Sequence, residues 1–514
     1  MGKVNLDALI PREDFEVEEN HSPGKKKETI SIEDIKSDSF FFINIRKPDF
    51  QRETNEWDEK KITQFIRSFI EGDLIPAIIL WRSSGGYLFV IDGSHRLSSL
   101  SAWVNDDYGD GKISKMFYDG LIPEEQIDIA NRARKMVNDV VGSYEDYKLG
   151  LTHPEKVKPY IVTNAKNLGA LAIQLQWVEG DANKAENSFF KINQQAAPID
   201  KTELRLLETR RHPNSIAARA IIRSGRGHKY WSQFDSKIQV EVQELAQKIN
   251  QILFTPKLDT PIKTLDLPIG GRMYGASALP LILDFINISN DINIKTPLSD
   301  DETGEMTLKI LKRTLKVAQL INSNHPSSFG LHPIIYFYSK DGKYKIAQFY
   351  AIVKFSIEIE KRKKKDHFTN ARAVLENIIW DYDYLIQQIN RKYRSALNSY
   401  VHISNFLIDC IDYINKGFDE TKTIIELIRV KYTYLTLEKY TPEDSESRDF
   451  DSNKKSAVYI IDAIKSAPKC KICNGLIHKN AISIDHIERR EDGGMASIEN
   501  GQITHPYCNT GFKN

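Results

Sequence analysis

The feature of this sequence that most constrains its folding is a pair of short Cys/His motifs close to residue 500. Cys470 and Cys473 form a C-x-x-C pair, and His505 and Cys508 form a second pair with the same spacing. Brought together across a hairpin, the two pairs supply three thiolates and one imidazole, which suit a closed, tetrahedral Zn²⁺ site. The sequence therefore predicts a structural zinc centre that uses three of the chain's four cysteines.

Between the two pairs lie residues suited to hydrolytic chemistry. Asp485 and His486 follow an alternating stretch that is typical of a strand, and Gly493-Gly494 marks a turn, so this segment is predicted to be a hairpin. A carboxylate is a hard oxygen ligand for Mg²⁺ or Mn²⁺, and a neutral imidazole accepts a proton from water. The Asp-His dipeptide is therefore a candidate hydrolytic site.

The order of these residues resembles that of an HNH endonuclease domain of the ββα-metal type. The resemblance rests on the Asp485-His486 dipeptide, the Gly-Gly turn, Asn500 and the Cys508-Asn509 ending. It implies that His486 is the general base that activates water for attack on a phosphodiester. It also implies that Asp485 and Asn509 hold one divalent cation, and that Asn500 orients the loop that carries His486. The alternative is a zinc knuckle without catalysis, in which Asp485 caps a turn and His486 is merely exposed.

A second informative region lies between residues 40 and 106. Asp58 is predicted to cap a helix that ends at Gly72, and the apolar stretches 77–81 and 87–91 are predicted to be paired strands. The apolar stretch 40–45 is also predicted to be a strand. These elements indicate an α+β domain in this part of the chain.

The strand at 87–91 runs directly into Asp92-Gly93-Ser94-His95-Arg96, which opens an apolar helix. The first turn of a helix exposes backbone N–H groups that bind anions, and Arg96 is placed to pair with phosphate oxygens. The turn is therefore a candidate anion site. The alternative is a plain turn at Asp92-Gly93 with Arg96 solvated.

This D-G-x-x-R signature resembles the ParB/sulfiredoxin-like domain of the GmrS-type restriction proteins. The upstream Gln51-Arg52 and the downstream Phe190-x-x-Asn193 carry the rest of the resemblance. It implies a module that binds, and often hydrolyses, a nucleoside triphosphate and couples it to the nuclease. The residues implied to line the nucleotide site are Gln51, Arg52, Asp92, Gly93, His95, Arg96 and Asn193.

The formal net charge of +1 does not by itself indicate a nucleic-acid partner, so any charge that binds DNA must be local. One candidate is the run of basic residues at 361–365. Another is the cluster Arg391, Lys392 and Arg394 at the end of a long apolar helical pattern that spans 375–389. A solvated helix face is the alternative for both.

The sequence predicts an α+β multidomain protein with a ParB/sulfiredoxin-like amino-terminal domain, a mainly α-helical middle and a small zinc-stabilised ββα-metal HNH domain. The predicted segments are a flexible arm at 1–28, a nucleotide-binding sensor domain at 29–235, a helical domain at 236–440, a linker at 441–456 and the HNH domain at 457–514. No apolar run reaches membrane-spanning length and the first residues lack the pattern of a secretory signal, so a cytoplasmic location is expected.

Together the two resemblances imply a prokaryotic, anti-phage restriction-type DNA endonuclease, either a nickase or a double-strand cutter. Its cofactors would be structural zinc, catalytic Mg²⁺ or Mn²⁺, and a nucleoside triphosphate. Its partners would be duplex DNA, whose modification state regulates it, and a second copy of the chain in a homo-oligomer. Two alternatives are a DNA-binding reader of modifications without nucleotide turnover and a non-catalytic zinc-stabilised regulator.

Overall fold

The computed structural model of the protein describes residues 3–13, 25–48, 51, 56–118, 120, 122, 124–196, 209–226, 229–258, 262–273, 278–293, 296, 298–438 and 449–513; of residues 193–196 it describes the backbone only. The chain divides into two compact units. The first comprises Met1–Arg210 and Arg226–Tyr230, and the second comprises Arg211–Gly225 and Trp231–Asn514. No described helix combines the length and the apolar character needed to cross a membrane.

The first unit is built on a mixed sheet that has six strands within the described residues. The strands are β1 (Arg12–Glu13), β2 (Thr29–Ser31), β3 (Ile45–Pro48), β4 (Ile78–Arg82), β5 (Leu88–Asp92) and β6 (Ala172–Val178). Their order across the sheet is β1-β3-β5-β4-β6-β2. The central β4 and β5 are antiparallel, β5 pairs in parallel with β3, and β4 pairs in parallel with β6. The two predicted central strands are therefore confirmed.

Helices cover both faces of this sheet. They are α1 (Phe40–Ile43), α2 (Glu59–Glu71), α3 (Ser94–Val104), α4 (Lys112–Phe117), α5 (Glu124–Val140), α6 (Tyr144–Thr152), α7 (Pro159–Leu168) and α8 (Ala182–Ala196). On one face, Leu80 and Val90 belong to the large core that also contains residues of α2, α3 and α5. On the other face, Trp81 and Phe89 pack in a smaller core with Phe189 of α8. Burial on both faces explains why the central strands read as continuous apolar runs.

Helix α2 begins and ends as its sequence predicts. The Asp58 side chain accepts a hydrogen bond from the backbone of Lys61, and Gly72 ends the helix in the left-handed conformation with φ of +77°. The predicted strand at 40–45 is wrong: Ser39 caps the short helix α1, and the strand begins only at Ile45. The hydroxyl of Ser39 accepts from a backbone N–H of the next turn, which favours the helical start.

The prediction of a flexible arm over 1–28 does not hold for residues 4–13. Val4, Leu6 and Ile10 are buried in the main core, and β1 pairs in parallel with β3. A fully buried cluster holds this segment, because the Asp7 carboxylate accepts hydrogen bonds from both Arg12 and Lys47. Residues 14–24 of the predicted arm lie outside the described residues.

The second unit is mainly helical up to its last fifty residues, as predicted for 236–440. Its helices are α9 (Pro213–Ile222), α10 (Ser236–Phe254), α11 (Ala278–Ser289), α12 (Glu305–Ile321), α13 (Pro333–Tyr336), α14 (Ile346–Lys361), α15 (Lys365–Asp381), α16 (Asp383–Tyr393), α17 (Ala396–Ile414), α18 (Glu420–Val430) and α19 (Ser452–Ser466). The single helical pattern predicted over 375–389 is two helices, because the backbone leaves the helical conformation at Tyr382. An ion pair of 3.0 Å between Lys345 and Asp383 fixes the start of the second helix.

The carboxyl-terminal segment of this unit forms the predicted hairpin. Strand β7 (Ser483–His486) pairs antiparallel with β8 (Gly501–Thr504), and a π-helical segment follows at Cys508–Phe512. The first half of the predicted linker 441–456, residues 441–448, lies outside the described residues. Helix α19 starts inside that predicted linker at Ser452, where the side chain of Asp451 caps it.

The hairpin segment packs against the helical part of the same unit through a buried ion pair. Arg372 and Glu376 of α15 are 1% and 5% exposed, and their side chains are joined at 2.7 Å. Glu376 also accepts a hydrogen bond of 2.9 Å from the backbone N–H of Leu476, and Arg372 donates to the carbonyls of Phe329 and Gly330. The pair therefore connects α15, the loop before α13 and the carboxyl-terminal segment.

Two glycines allow this close approach. A side chain at Gly475 would collide with the buried Arg372, and a Cβ at Gly330 would lie 2.8 Å from the His505 ring and 3.0 Å from the Ala481 Cβ. Gly330 also has φ of +59°, a conformation that residues with side chains rarely adopt. Both positions therefore require glycine for steric reasons.

We expect Arg372→Met to destabilise the second unit by about 3–5 kcal/mol, because it leaves the Glu376 carboxylate buried without its cation. The measurement is chemical denaturation combined with limited proteolysis of residues 449–513. The matched control is Arg429→Met, since Arg429 pairs with Glu426 at 2.6 Å but is 70% exposed, and surface pairs contribute about 0–1 kcal/mol. Equal midpoints for the two variants would show that the buried pair does not hold the segment.

His478 makes the packing of the carboxyl-terminal segment against the helical part of the second unit depend on pH. Burial lowers the pKa of His478 to about 4, below its ordinary value near 6.5, and its ring lies against His332 and Asn322. The unfolded chain therefore binds a proton on His478 more tightly than the folded chain does. The stability of the folded state that depends on a neutral His478 is present above pH 6.5 and is lost as the pH falls towards 4. Between pH 7 and pH 5 the loss is about 2 kcal/mol.

We therefore expect the thermal midpoint of the wild-type protein to fall more between pH 7 and pH 5 than that of His478→Gln, which cannot titrate in this range. Circular dichroism measures both midpoints in matched buffers. An identical fall in the two proteins would contradict this account of His478.

Candidate functional site

The four residues of the two Cys/His pairs meet in one buried cluster. The Sγ atoms of Cys470, Cys473 and Cys508 and a ring nitrogen of His505 all lie within 4.8 Å of one another. The four residues are at most 8% exposed. Three thiols and an imidazole in a closed, buried arrangement are a donor set that could hold Zn²⁺.

Backbone groups around the cluster orient its side chains. The Nε2 atom of His505 lies 2.9 Å from the carbonyl oxygen of Leu476. A carbonyl only accepts, so Nε2 carries the proton and Nδ1 faces the sulfurs, 3.3 Å from Cys473 Sγ. The N–H of Ile472 points at Cys470 Sγ at 3.4 Å. Such contacts fix the ring and stabilise thiolate character at a zinc site.

Local charge and burial set the protonation of these ligands. Burial lowers the pKa of His505, so its imidazole is neutral, which is the form that binds a metal. Hydrogen bonds with Cys473 and Cys508 lower the pKa of the Cys470 thiol. The pKa of the Cys473 thiol is raised to about 11, chiefly because it donates a hydrogen bond to Cys470, and the positive charge of Arg372 opposes this rise.

The hairpin that carries the predicted catalytic residues lies between the two halves of the Cys₃His cluster. Asp485 and His486 are the last two residues of β7, opposite Gln502 and Gly501 of β8. The Asp485 side chain is buried, and its Oδ2 accepts hydrogen bonds of 2.8 Å from Gln502 and from the Lys513 ammonium. His486 is partly exposed, and the Arg490 Nε lies 3.4 Å from its Nε2. The acid is therefore inward and the imidazole is reachable from solvent.

Asn509 lies beside the same strand. Its amide nitrogen donates to the Ser483 hydroxyl at 2.8 Å and to the Ile484 carbonyl at 3.1 Å. These bonds connect the π-helical segment after Cys508 to the strand that ends in Asp485. Asn509, one member of the predicted metal pair, thus contacts the two residues of β7 that precede Asp485, the other member.

Asn500 closes the loop between the two strands. Its amide nitrogen donates to the carbonyls of Glu488 and Met495 at 3.1 and 2.9 Å, and its oxygen accepts from the backbone N–H of Glu488 at 2.7 Å. Gly494 is needed for this contact, because a Cβ there would lie 2.9 Å from the Asn500 amide and collide with the Glu488 backbone. Asn500 therefore fixes the backbone directly after His486.

Lys513 is a site residue that the sequence analysis did not single out. Its ammonium contacts both the carboxylate of Asp485 and the carbonyl of His486. A lysine close to the chain's last residue carries no motif, so only a short distance in space identifies it. The contact shows that this end of the hairpin accommodates a positive charge.

The predicted nucleotide residues of the first unit lie around the start of α3. Gly93 has φ of +101°, and a Cβ there would lie 3.0 Å from Ile78, so this turn requires glycine. Among the described residues, no side chain caps the amino terminus of α3. Arg96 does not point freely outward: its Nη2 donates to Asp92 at 2.7 Å and to the Ala77 carbonyl at 3.1 Å.

Gln51 and His95 lie on the same side of this turn. Gln51 is buried and donates to the Ser94 hydroxyl at 3.3 Å, while its Oε1 has no hydrogen-bond partner among the described residues. The Nε of Arg96 is likewise buried without a partner in the part of the chain that is described. The His95 ring stacks on Trp57 at 5.7 Å. Buried unpaired polar atoms next to an uncapped helix start are typical of a ligand site.

The side chains of two predicted members of the nucleotide site are not among the described parts of the structure. Arg52 lies outside the described residues, and Asn193 falls in α8 where only the backbone is described. The structure therefore brings Gln51, Asp92, Gly93, His95 and Arg96 to one turn.

The basic run at 361–365 is largely paired with acidic residues. Arg362 pairs with Glu358 at 2.9 Å, Lys364 with Asp412 at 2.6 Å and Lys365 with Glu360 at 3.4 Å. Lys361 and Lys363 are exposed and form no ion pair with described residues. Of the second predicted cluster, the Lys392 ammonium stacks on Tyr434 at 3.3 Å from the ring centre.

Comparison with known proteins gives two family matches on separate parts of the chain. Residues 32–208 match the N-terminal domain of the GmrSD restriction endonuclease, and residues 470–514 match the HNH endonuclease family. No curated protein and no solved structure matches the chain significantly. The first match includes the Asp92–Arg96 turn, and the second includes the Cys₃His cluster and the hairpin.

These matches confirm the predicted architecture, in which a GmrSD-type amino-terminal domain of α/β structure is combined with a carboxyl-terminal HNH domain that has a zinc-competent Cys₃His site. An HNH domain supports a hydrolase that cleaves DNA. Residues 32–208 are thus similar to the N-terminal domain of the GmrSD restriction endonuclease and residues 470–514 to HNH endonucleases, and this combination supports a restriction-type DNA endonuclease.

Proposed function

We propose that this chain is a restriction-type DNA endonuclease in which His486 is the general base of a metal-dependent phosphodiester hydrolysis. The observation that carries the proposal is that Asp485 and His486 end strand β7, while Asn509, directly after Cys508 of the Cys₃His cluster, donates to the Ile484 carbonyl of the same strand. The match of 470–514 to HNH endonucleases supports it independently. The target would be foreign DNA, distinguished by its modification state.

The residues at the end of the hairpin fit a divalent cation. Asp485 already binds the Lys513 ammonium and the Gln502 amide, so its carboxylate is arranged to receive positive groups. The Asn509 amide nitrogen donates to a backbone carbonyl and a side-chain hydroxyl of β7. These bonds orient the Asn509 amide beside the strand that carries the Asp485 carboxylate. Asp485 and the Asn509 oxygen would hold Mg²⁺ or Mn²⁺, which prefer such oxygen ligands. The bound ion would polarise the scissile phosphate and stabilise charge on the leaving oxygen.

His486 has the exposure that a general base requires. Its ring is reachable by water, whereas Asp485 next to it in sequence faces the interior. A neutral imidazole within hydrogen-bond distance of a water molecule takes its proton as the oxygen attacks phosphorus. Arg490, 3.4 Å from the ring, supplies a guanidinium that can bind the oxygens of the same phosphate.

The remaining residues keep this geometry rigid. Asn500 holds the loop after His486 through three hydrogen bonds, and Gly494 makes room for it. Zinc bound by Cys470, Cys473, His505 and Cys508 would clamp the ends of the hairpin and contribute to folding rather than to the chemistry.

The GmrSD-type domain would bind a nucleoside triphosphate at the start of α3 and regulate the nuclease. The buried, unpaired Nε–H of Arg96 and the backbone N–H groups at the start of α3 are donors that support an anionic ligand there, and the unpaired Oε1 of Gln51 would accept from a hydroxyl or N–H group of the same ligand. Asp92, Gly93 and His95 belong to the same turn, and the resemblance adds Arg52 and Asn193. Hydrolysis of the nucleotide is part of this proposal.

The first test is the variant His486→Ala, assayed on supercoiled plasmid with Mg²⁺ or Mn²⁺. We expect cleavage to fall by about 10²–10⁴-fold, the usual contribution of a positioned general base. The matched control is His367→Ala, because His367 is an exposed histidine of the same unit that is not part of the hairpin. Zinc content, measured by a chromophoric chelator after denaturation, should be equal in both variants.

Full cleavage by His486→Ala with normal zinc content would refute the assigned role. If the wild-type protein binds plasmid but neither relaxes nor linearises it with either metal, the chain is a DNA-binding regulator instead of a nuclease.

The second test concerns the nucleotide site and uses Gln51→Leu. The substitution conserves volume and removes a buried amide that is poorly paired in the free protein, so the unfolding midpoint should stay equal or rise. We expect the Kd for a fluorescent nucleoside triphosphate to increase about tenfold, because a hydrogen bond to the ligand is worth about 1.5 kcal/mol.

The control for this test is Gln348→Leu. Gln348 is also buried with an unpaired Oε1 among the described residues, but it belongs to the helical unit. Its substitution should leave nucleotide binding unchanged. Wild-type protein that binds no nucleoside triphosphate would remove the nucleotide role from this domain.

A further inference from the structure

Helix α12 presents a row of positive charges on its exposed face. Lys309, Lys312, Arg313 and Lys316 follow one another at steps of three, one and three residues, so they share one side of the helix, and all four are exposed. The opposite side is apolar and buried through Leu311 and its neighbours. The row extends over about 10 Å, which corresponds to about three successive phosphates along a DNA strand.

This row forms one wall of an open groove of about 1050 Å³. Helix α14 forms the other wall and contributes Lys354 and Lys361, two turns apart. The six cations that line the groove are accompanied by four acidic side chains, which are Asp291, Glu305, Glu358 and Glu360. The aliphatic side chains Leu308, Val317 and Ile357 lie between the charges.

The lysines of this row form ion pairs that are exposed to solvent, so their carboxylate partners can be exchanged for other anions. Lys312 pairs with Glu241 at 2.7 Å while 57% exposed, and Lys316 pairs with Glu360 at 3.7 Å while 69% exposed. Such pairs contribute about 0–1 kcal/mol, so a phosphate can replace the carboxylate at little cost. Lys309 and Lys361 form no ion pair with described residues. Lys354, by contrast, is 22% exposed and held by both Asp291 and Glu358.

A continuous set of contacts leads from one end of this groove to the HNH domain. Glu360, which pairs with Lys316, also pairs with Lys365 at 3.4 Å. The Lys365 ammonium lies 5.3 Å from the ring centre of Tyr507, which precedes the zinc ligand Cys508. The Tyr507 hydroxyl donates to Asp366 at 2.9 Å. The groove and the nuclease hairpin therefore belong to one packed body.

We propose that the groove between α12 and α14 binds the phosphate backbone of duplex DNA and guides it to the HNH domain. The inference rests on the proposed nuclease function, because it supplies that function with its substrate-binding surface. Lysines and arginines spaced along a helix contact phosphates without reading bases, so this surface positions DNA independently of its sequence. Specificity for a modification would then have to come from elsewhere in the chain.

The test is the triple variant Lys309→Gln, Lys312→Gln and Lys316→Gln, made in a His486→Ala background so that bound DNA is not cut. Glutamine has nearly the helix propensity of lysine, so α12 should remain folded. Fluorescence anisotropy with a 30-base-pair duplex across a series of NaCl concentrations measures both the affinity and its salt dependence. A competition arm with a nucleoside triphosphate separates binding of a duplex from binding of any polyphosphate.

The matched control also removes three exposed positive charges from a helix of the same unit. It is Lys422→Gln, Arg429→Gln and Lys431→Gln on and after α18, outside the groove. We expect the groove variant to bind duplex more than tenfold more weakly at low salt. Its slope of log K against log [NaCl] should be shallower by about 2.7, since each phosphate contact contributes about 0.9. The control should stay within twofold of the parent.

Equal affinity and equal slope for the groove variant and its parent would overturn the proposal, and so would full competition by the nucleoside triphosphate that persists when Gln51→Leu weakens the proposed nucleotide site. The same triple variant with His486 intact should show a raised KM for plasmid cleavage with kcat retained. Loss of duplex binding in the groove variant supports the groove even if the wild-type protein cuts no DNA, in which case only the nuclease assignment fails.

Discussion

The buried pair of Arg372 and Glu376 is the interaction on which the position of the nuclease hairpin depends. One carboxylate receives the Arg372 guanidinium and the backbone of Leu476, while the guanidinium holds the carbonyls of the loop at 329–330. Desolvating two charges is costly unless the remaining donors and acceptors are satisfied, and here several of them are. The pair therefore links three segments that are far apart in sequence and holds the zinc cluster against the helical part of the same unit.

This arrangement gives the zinc cluster two roles in the proposed enzyme. Within residues 470–508 it closes the hairpin, and through Gly475 and Gly330 it brings that hairpin close to α15. Helix α15 begins at Lys365, beside Tyr507, and Lys365 pairs with Glu360, which lines the groove of α12 and α14. A surface that binds phosphates and a site that hydrolyses them would then be parts of one rigid body, so the path of the DNA would be fixed without a moving linker.

Much of the site could be predicted from the sequence because its chemistry is local. The zinc ligands form two pairs at fixed spacing, Asp485 and His486 are adjacent, and Asp58 and Gly72 are end signals of a single helix. Features that depend on contacts between distant segments could not be found in this way. Lys513 reaches Asp485, and Arg372 reaches the zinc cluster, only after folding. The strand predicted at 40–45 failed for a local reason, since the capping hydroxyl of Ser39 outweighed the apolar pattern.

The contact between Lys513 and Asp485 also affects how a metal ion would bind to the Asp485 carboxylate. An inward carboxylate without a counter-charge would repel the phosphates of approaching DNA and would favour collapse or protonation of the pocket. With the ammonium in place, the Asp485 charge is already compensated, so in the proposed enzyme the binding of Mg²⁺ would be an exchange of one cation for another. In the proposed enzyme, the Lys513 ammonium released by this exchange would be free to pair with a phosphate of the bound DNA.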